Sequence, residues 1–575
     1  MDKKKLKKQN IIQLLAVLII VVLINYIASF IILRLDLTSE GRYTLSDQTK
    51  KLLSNLDEQL YVKVYLEGDD LPVGFKRMRR ALNDLLEEFN YYGKSDVSFR
   101  FINPTDIEDK KAKFGLWKEL SEKGLKPIES QDVSEEGNTS QKLVFPGVVV
   151  VYKGKDMGLN LLKTDPQYLP DSEENINNSV QSMEYELTNA IRKLSQEKKP
   201  EIAFIEGQGE LNEMEVMDIT TLLSEYYEVK RGAINETPGI LDQFEAVIIA
   251  KPIQKFSEND KLVLDQYIMN GGKALWLLDG ASINMDSLSQ SPVTAAMPLD
   301  LNLDDQLFRY GVRLNPGLLQ DAQCAPIGLT RQNTQGEPII DLLPWPYFSL
   351  VLSDNSHAIN KYMNVLRMEF PSTLDTVASS SKVKKTILLS SSDYSKFEYA
   401  PAQVSFSNIK RKIDKADFKN KKLPVAVLLE GEFESNFKNR LLQKLIIPKE
   451  KIIEQSKPTK MVVVADGDIA ANKISSRGEV YPVGFDPLIQ NPNRAPIIFK
   501  GNKEFIINAM NYLCDDEGLM SVRLREITMR LLDKDKVKTG KTLWKTINTL
   551  IPVLLIILFG IVAYFIRKRK YTKAW

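Results

Sequence analysis

Two long apolar runs bracket the chain. Residues 11–33 (IIQLLAVLIIVVLINYIASFIIL) are interrupted only by Gln13, Asn25, Tyr26 and Ser29. As a helix they rise about 35 Å, enough to cross a hydrocarbon core of about 30 Å. Residues 547–566 (INTLIPVLLIILFGIVAYFI) repeat the pattern and run straight into Arg567-Lys568-Arg569-Lys570. The first run is too long for the apolar core of a secretory signal and has no small-residue cleavage site at its end, so it reads as a retained anchor. Lys3, Lys4, Lys5, Lys7 and Lys8 precede it and only Arg34 follows closely. That bias places both termini in the cytoplasm. Lys534, Lys536, Lys538, Lys541 and Lys545 crowd the outer side of the second run and oppose the bias, but the first helix usually sets orientation and two spans return the chain to its starting side. The expected layout is a bacterial inner (cytoplasmic) membrane protein with cytoplasmic ends at 1–10 and 567–575 and a large periplasmic region between the spans.

Between the spans the apolar spacing alternates between two and three-to-four. YVKVYL (61–66) has the period of a strand, and Met78, Leu82, Leu85, Leu86 and Phe89 share one helical face. VSFRFINP (97–104) is a second strand ended by Asn-Pro, Phe114, Leu116, Trp117 and Leu120 mark a second helix, and 143–162 reads as paired strands around Gly154. These elements predict a small membrane-proximal β-α-β domain over 34–165. A polar stretch at 164–175 ends it, and Ile176, Val180, Met183, Leu187, Ile191 and Leu194 trace a long helix.

A different rhythm follows. EIAFIE (201–206), a helix around Met214–Tyr226, FEAVIIA (244–250), a helix over Glu258–Met269 and KALWLLDG (273–280) alternate strand and helix. Strands apolar on both faces predict a parallel sheet covered on two sides. LPVAVLLEG (423–431), KMVVVADGD (460–468), PIIF (496–499) and a helix over Asn502–Leu513 extend it to a domain at 176–532. Within it, 281–422 reads as an insertion with Pro-rich loops such as LLPWPYF (342–348) and a basic tract at 405–422. A basic linker at 533–546 leads to the second span. About 510 residues between the spans exceed one ordinary core, so more than one domain is expected.

Composition removes several function classes. A net charge of +2 from 77 basic and 75 acidic residues gives no bulk affinity for nucleic acid. The single histidine, His357, excludes histidine-rich metal sites, and its Ser-His-Ala setting reads as a solvated loop. Cys324 and Cys514 lack local spacing and read as two small buried residues. Gly540-Lys541-Thr542 has Asp535 where a phosphate loop needs glycine. Gly-x-Ser-x-Gly does not occur.

Candidate chemistry gathers at the strand ends, where open α/β sheets bind ligands. They read Glu206-Gly207-Gln208-Gly209-Glu210, Lys251-Pro252, Asp279-Gly280, Glu430-Gly431-Glu432 and Asp466-Gly467-Asp468. Such carboxylates suit a hard cation or acid–base work, and equally suit the tight turns that follow strands. No nucleophile with a partner base accompanies them, so no catalytic, cofactor or metal residue is assigned and the chain is expected not to be an enzyme. Glu206, Gln208, Glu210, Asp279, Asp466 and Asp468 stand as a candidate ligand or partner crevice.

Four ordered motifs and the two-span layout carry a family resemblance. Asp36-Leu37-Thr38 with Arg42-Tyr43-Thr44-Leu45-Ser46, then Ile205 to Glu210, Val464 to Asp468, and Asn508-Ala509-Met510-Asn511-Tyr512-Leu513 resemble the GldG-like ABC-transporter auxiliary proteins of gliding bacteria. The resemblance implies a non-catalytic subunit that works with a polytopic GldF-like permease and a cytoplasmic GldA-like ATPase in membrane lipid. It also implies a link to gliding motility and its associated secretion, with envelope proteins as further candidate partners and no cofactor. The large domain is similar to the flavodoxin-like, class I glutamine-amidotransferase-like fold. Related sheets often carry His in a Gly-His-Gly-Glu context where this chain has Gln208, which removes an acid or base. The segment marked by Asp36, Thr38, Arg42, Tyr43 and Ser46 reads as a membrane stalk: Ser46 is a helix N-cap ahead of Asp47, and the short lead-in transmits motion of the span to the external body. Asn25, Ser29 and Gly560 are candidates to face partner helices. An extracytoplasmic protein binding a sugar, peptide or cell-wall fragment in the strand-end crevice is the alternative.

Overall fold

A computed structural model of the chain describes residues 11–12, 14–23, 26 and 44–572, apart from short segments at 69–70, 95, 134–138, 164–171, 197, 333–335, 337, 379–381, 407–408, 410–412, 441–445, 476, 491–495 and 525–533. It divides into a body, Met1–Arg525, and a second unit, Glu526–Trp575.

The body begins with α1 (Asp47–Ser54), whose N-cap is Ser46: the hydroxyl accepts from the Thr49 N–H at 3.2 Å, satisfying one of the amides a helix start leaves open. Strands β1 (Leu60–Val64) and β2 (Val97–Phe101) are parallel, joined by α2 (Val73–Tyr92), which buries Phe75, Met78, Leu82, Leu86 and Phe89. After α3 (Lys110–Glu122) come a separate ribbon, β3 (Ile128–Val133) with β4 (Thr139–Val144), and the antiparallel pair β5 (Gly147–Tyr152) and β6 (Lys155–Asn160). The β5–β6 turn uses Lys153 and Gly154, both at positive φ, as a two-residue hairpin requires. The sheet order is β2-β1-β5-β6, with β5 antiparallel to β1.

Helix α4 (Glu173–Ser195) is buried along most of its length. It packs on α2, β5 and β6 and also touches the short helical turn Leu519–Leu524, so it is shared between the small sheet and the rest of the body.

The large sheet has seven strands. Its parallel part comprises β7 (Glu201–Glu206), β8 (Glu228–Ala233), β9 (Ala246–Ala250) and β10 (Lys273–Leu277), continued by β13 (Thr459–Val464). Two antiparallel strands, β12 (Pro424–Gly431) and β11 (Val383–Ser390), extend the edge, giving the order β11-β12-β13-β10-β9-β7-β8. Alternate residues of β10 face opposite ways. Leu275 and Leu277 join a core with Phe505, Ile506 and Met510 of α7 (Gly501–Leu513), and Ala274 and Trp276 join one with Leu264 and Ile268 of α6 (Glu258–Met269).

Several expectations change here. The sheet is mixed, because an apolar run such as PVAVLLEG encodes burial on both faces and carries no information on strand direction. The 281–422 tract is not wholly an insertion, since β11 lies within it. LLPWPYF is no loop: Pro338–Val351 is a single strand paired with Cys324–Gln332. Pro344 stands opposite Pro326 beside a register shift, one of the places a strand tolerates proline, while Trp345, Tyr347, Phe348 and Phe370 build a separate core. Pro496–Ile498 pairs with Phe485–Gln490 in its own ribbon, away from the large sheet. The helix expected around Met214–Tyr226 covers only α5 (Met217–Ser224). His357 is half-buried, its ring 4.8 Å from that of Tyr512, and burial lowers its pKa below the ordinary value. Cys324 and Cys514 are free thiols, both half-buried.

In the second unit, α8 (Lys534–Thr572) is one continuous helix. The basic tract at 534–546 therefore forms the first turns of that helix. Thr539–Arg569 is long and apolar enough to cross a membrane, the one helix that is so among the described residues. Of the N-terminal run, Leu14–Leu23 forms a shorter apolar helix, and the rest up to residue 33 lies largely outside the described residues.

Candidate functional site

Three neighbouring parallel strands, β13, β10 and β9, deliver the residues that follow them to one place. Asp466, Asp279 and Asp468 bring carboxylate oxygens within 4.8 Å of one another, and the Lys251 ammonium sits among them, ion-paired with Asp468 and 3.7 Å from Asp279 Oδ2. Backbone amides take up further oxygens. Asp468 N–H donates to Asp466 Oδ1 at 2.7 Å, Glu369 N–H to Asp466 Oδ2 at 2.8 Å, and Gly467 N–H to Asp279 Oδ1 at 2.6 Å. Lys251 adopts positive φ (55°), and Gly467 lies so close that a Cβ there would sit 2.6 Å from Lys251 Cγ.

Burial dominates the electrostatics. Asp466 is fully buried, and that burial, followed by repulsion from Asp468 and Asp279, holds its pKa well above the carboxylate range. Burial also pushes Asp468 up to about 7, with Lys251 pulling the other way. Lys251 is desolvated too, but Asp279 and Asp468 outweigh that and keep it protonated. The donor set suits a hard divalent cation, yet Lys251 already supplies the positive charge and the backbone amides hold the orientation. The arrangement is a self-neutralised knot.

A second shell of charge comes from the middle of the chain. Arg367 Nη2 contacts Glu369 Oε1 at 2.9 Å and Asp486 Oδ2 at 3.4 Å, and Lys473 Nζ reaches Asp486 Oδ2 at 2.6 Å. Burial works against an ionised Glu369, but Arg367 and then Lys473 keep its pKa below the ordinary value. These residues carry no motif. Only the tertiary path of 366–372 along the end of β13 joins them to the aspartates.

The other three crevice candidates form their own group. The strand order reverses between β7 and β9, where a doubly wound sheet would place a ligand. Here the two loops are stitched together instead. Gln208 C=O accepts from Ile253 and Gln254 N–H, both at 2.9 Å, and a Cβ on Gly209 would meet Ile253 Cγ1 at 2.6 Å. Glu206 accepts from Arg231 Nε at 2.7 Å, Glu210 Oε2 from Gln208 N–H at 2.7 Å, and Gln208 Nε2 donates to Asp260 at 3.3 Å. Burial raises the Glu210 pKa. Glu430 lies elsewhere: β12 runs antiparallel, so it pairs with Lys460 at the start of β13 and accepts from the Tyr512 hydroxyl at 2.7 Å. The crevice candidates thus form two separately bonded groups.

Of the stalk residues, Asp36, Thr38, Arg42 and Tyr43 lie outside the described residues. Ser46 is anchored: its N–H donates to Glu184 Oε1 at 2.7 Å, and the Thr49 hydroxyl donates to the same oxygen at 2.9 Å and lies 3.2 Å from that of Thr188. On the next residue of α4, the Tyr185 hydroxyl donates to Met520 Sδ at 3.0 Å, and the Arg523 guanidinium lies 5.2 Å from the Tyr185 ring centre. Both ends of the body therefore meet on one turn of α4. Nothing local in the sequence marks Glu184 for this role.

Comparisons with known proteins agree with parts of this picture. Residues 199–509 match the model of an auxiliary family described as an ABC-type uncharacterized transport system, and residues 39–151 match a domain of unknown function, DUF7088. An uncharacterized protein of Borreliella burgdorferi is 21% identical over 579 residues, covering 98% of this chain and 99% of its own. Among solved structures, the mmIFT52 N-terminal domain aligns with 55% of this chain and 97% of its own at 14% identity, with a TM-score of 0.31, too low to support a fold argument.

Proposed function

The chain belongs to the ABC-transporter auxiliary family described as an ABC-type uncharacterized transport system, and from that premise we propose that it is a non-catalytic, membrane-anchored subunit coupling a permease to an extracytoplasmic body. Membership implies a permease and an ATPase as partners in general terms. The finer reading adds a GldF-like permease, a GldA-like ATPase, two spans in the inner membrane with a periplasmic body, and a part in gliding motility and its secretion. The run of parallel strands with helices on both faces supports a flavodoxin-type description of the large sheet.

One observation carries the coupling reading. Ser46 and Thr49 at the start of the body, and Met520 and Arg523 at its end, all bond or pack on Glu184, Tyr185 and Thr188 of α4. α4 packs on α2, β5 and β6 and on the Leu519–Leu524 turn, so displacement of either end is passed to the small sheet and to that turn. The self-neutralised aspartate knot supports a scaffold more than a catalyst. Purification of the tagged full-length chain from native membranes in mild detergent, with mass spectrometry, tests the partners: a stoichiometric polytopic permease and an ATPase are expected, and their absence sinks the coupling role. Inserting a flexible glycine-serine segment after Gly41 tests transmission; unaltered gliding or transport in that variant would count against it.

A further inference from the structure

Helix α8 carries its charge unevenly. Residues 534–546 hold the five lysines Lys534, Lys536, Lys538, Lys541 and Lys545 against one acid, Asp535. Four of them, Lys534, Lys538, Lys541 and Lys545, recur at steps of four, three and four, which at 3.6 residues per turn confines them to one face about 60° wide. The sequence places no acid within one turn of Lys541 or Lys545, so neither gains an ion pair along the helix. Both are exposed.

The same helix runs without a break into the segment long and apolar enough to cross a membrane, so position along it measures depth. With the hydrocarbon edge at Ile547 and a helix along the bilayer normal, the backbone of Lys545 stands about 3 Å outside that edge, Lys541 about 9 Å and Lys534 about 20 Å. A headgroup layer is about 5–8 Å deep, and helical side chains lean toward the N-terminus, here away from the hydrocarbon. The Lys545 ammonium therefore falls in that layer. Lys541 falls at its outer edge, within a Debye length of about 8 Å, and Lys534 lies beyond its reach. Trp544 marks the same level independently. Its indole lies back over Gly540, where a Cβ would meet Trp544 Cδ1 at 3.0 Å and Nε1 at 3.1 Å, and membrane interfaces enrich such amphipathic rings.

We propose that this face of α8 gathers anionic phospholipid headgroups, with Lys545 and Lys541 on the lipid phosphates and Trp544 seating the helix at that depth. An acidic protein surface would use the stripe along its whole length, whereas a lipid surface uses only its membrane end, so the lysines themselves separate the two. The inference rests on α8 as a membrane span and holds whichever side of the membrane carries 534–546.

Full-length protein carrying p-benzoylphenylalanine at Thr542, beside the stripe, tests it in nanodiscs of equal phosphatidylglycerol and phosphatidylcholine, with photo-crosslinked lipid identified by mass spectrometry. Phosphatidylglycerol adducts should exceed phosphatidylcholine adducts roughly fivefold, the bias one lysine near a charged surface gives, and about 0.5 M salt should reduce that excess. Lys541→Gln combined with Lys545→Gln should bring the ratio to about one, while Lys534→Gln leaves it unchanged. Equal adducts in the wild-type protein, an excess indifferent to the double substitution, or an equal loss on Lys534→Gln would each overturn the proposal. Alkaline carbonate washing of native membranes checks the premise: release of the chain would overturn the span and this proposal together, whereas retention with equal adducts overturns the proposal alone. None of these readouts involves a permease, so failure here is separable from failure of the coupling role.

Discussion

The aspartate knot after β9, β10 and β13 and the Glu206–Glu210 group after β7 both gather acids at the carboxyl ends of parallel strands, yet each is closed by different partners. At the knot, Lys251 and three backbone amides answer Asp279, Asp466 and Asp468. At the other group, the Arg231 guanidinium answers Glu206 and the Gln208 N–H answers Glu210. A cluster that closes its own hydrogen bonds holds the fold together and has little left to offer a ligand. Carboxylates at the carboxyl ends of parallel strands therefore do not by themselves make a functional site.

The sharpest way to break this contrast is Lys251→Ala. It leaves Asp279 and Asp468 without their cation, and loss of one partner from a buried charged pair typically costs about 3–5 kcal/mol. Thermal melting followed by near-ultraviolet circular dichroism should show that loss, larger at pH 8 than at pH 6; a near-neutral result would mean the knot is not self-neutralised through Lys251.

The pH dependence of the same cluster comes next. Burial raises the Asp468 pKa from its ordinary value to about 7, so the folded state holds that proton more tightly than the unfolded chain. The contribution to stability is full below about pH 4, the unfolded value, and is lost as pH rises through 7. Asp468→Asn should flatten the stability profile between pH 4 and 7, and an unchanged slope would assign the dependence to other groups.

Gly467→Ala is expected to cost about 1–3 kcal/mol, as overpacking does, because its Cβ would press on the Lys251 stem. Denaturant midpoints measure it. On the α4 side, Ser46→Ala removes a helix cap worth about 1 kcal/mol, and hydrogen exchange should show α1 opening sooner while the large sheet is unaffected.

Much of the local structure was legible. The 3.6-residue spacing marked α6 over Glu258–Met269 to the residue, the alternating and continuous apolar runs located β1, β7, β9 and β10, and Ser46 stood out as a cap. Strand direction in β12 was not legible, nor the strand through Pro344 and Pro346, nor the return of β11 to the sheet. These depend on partners far along the chain. Of the crevice candidates, the three aspartates do converge, but the residue that decides their chemistry, Lys251, reads in the sequence only as part of a strand end and not as a crevice candidate.

The sequence by itself determined many of the helices and strands, the apolar C-terminal helix and the exclusion of histidine-rich metal sites, because these follow from side-chain periodicity, length and composition over a few turns. Only the tertiary structure decided which polar groups are answered and which are not. Hydrogen bonds and ion pairs between residues such as Lys251 and Asp468 or Ser46 and Glu184 join positions over a hundred apart, and no local pattern records whether a buried donor will meet its acceptor.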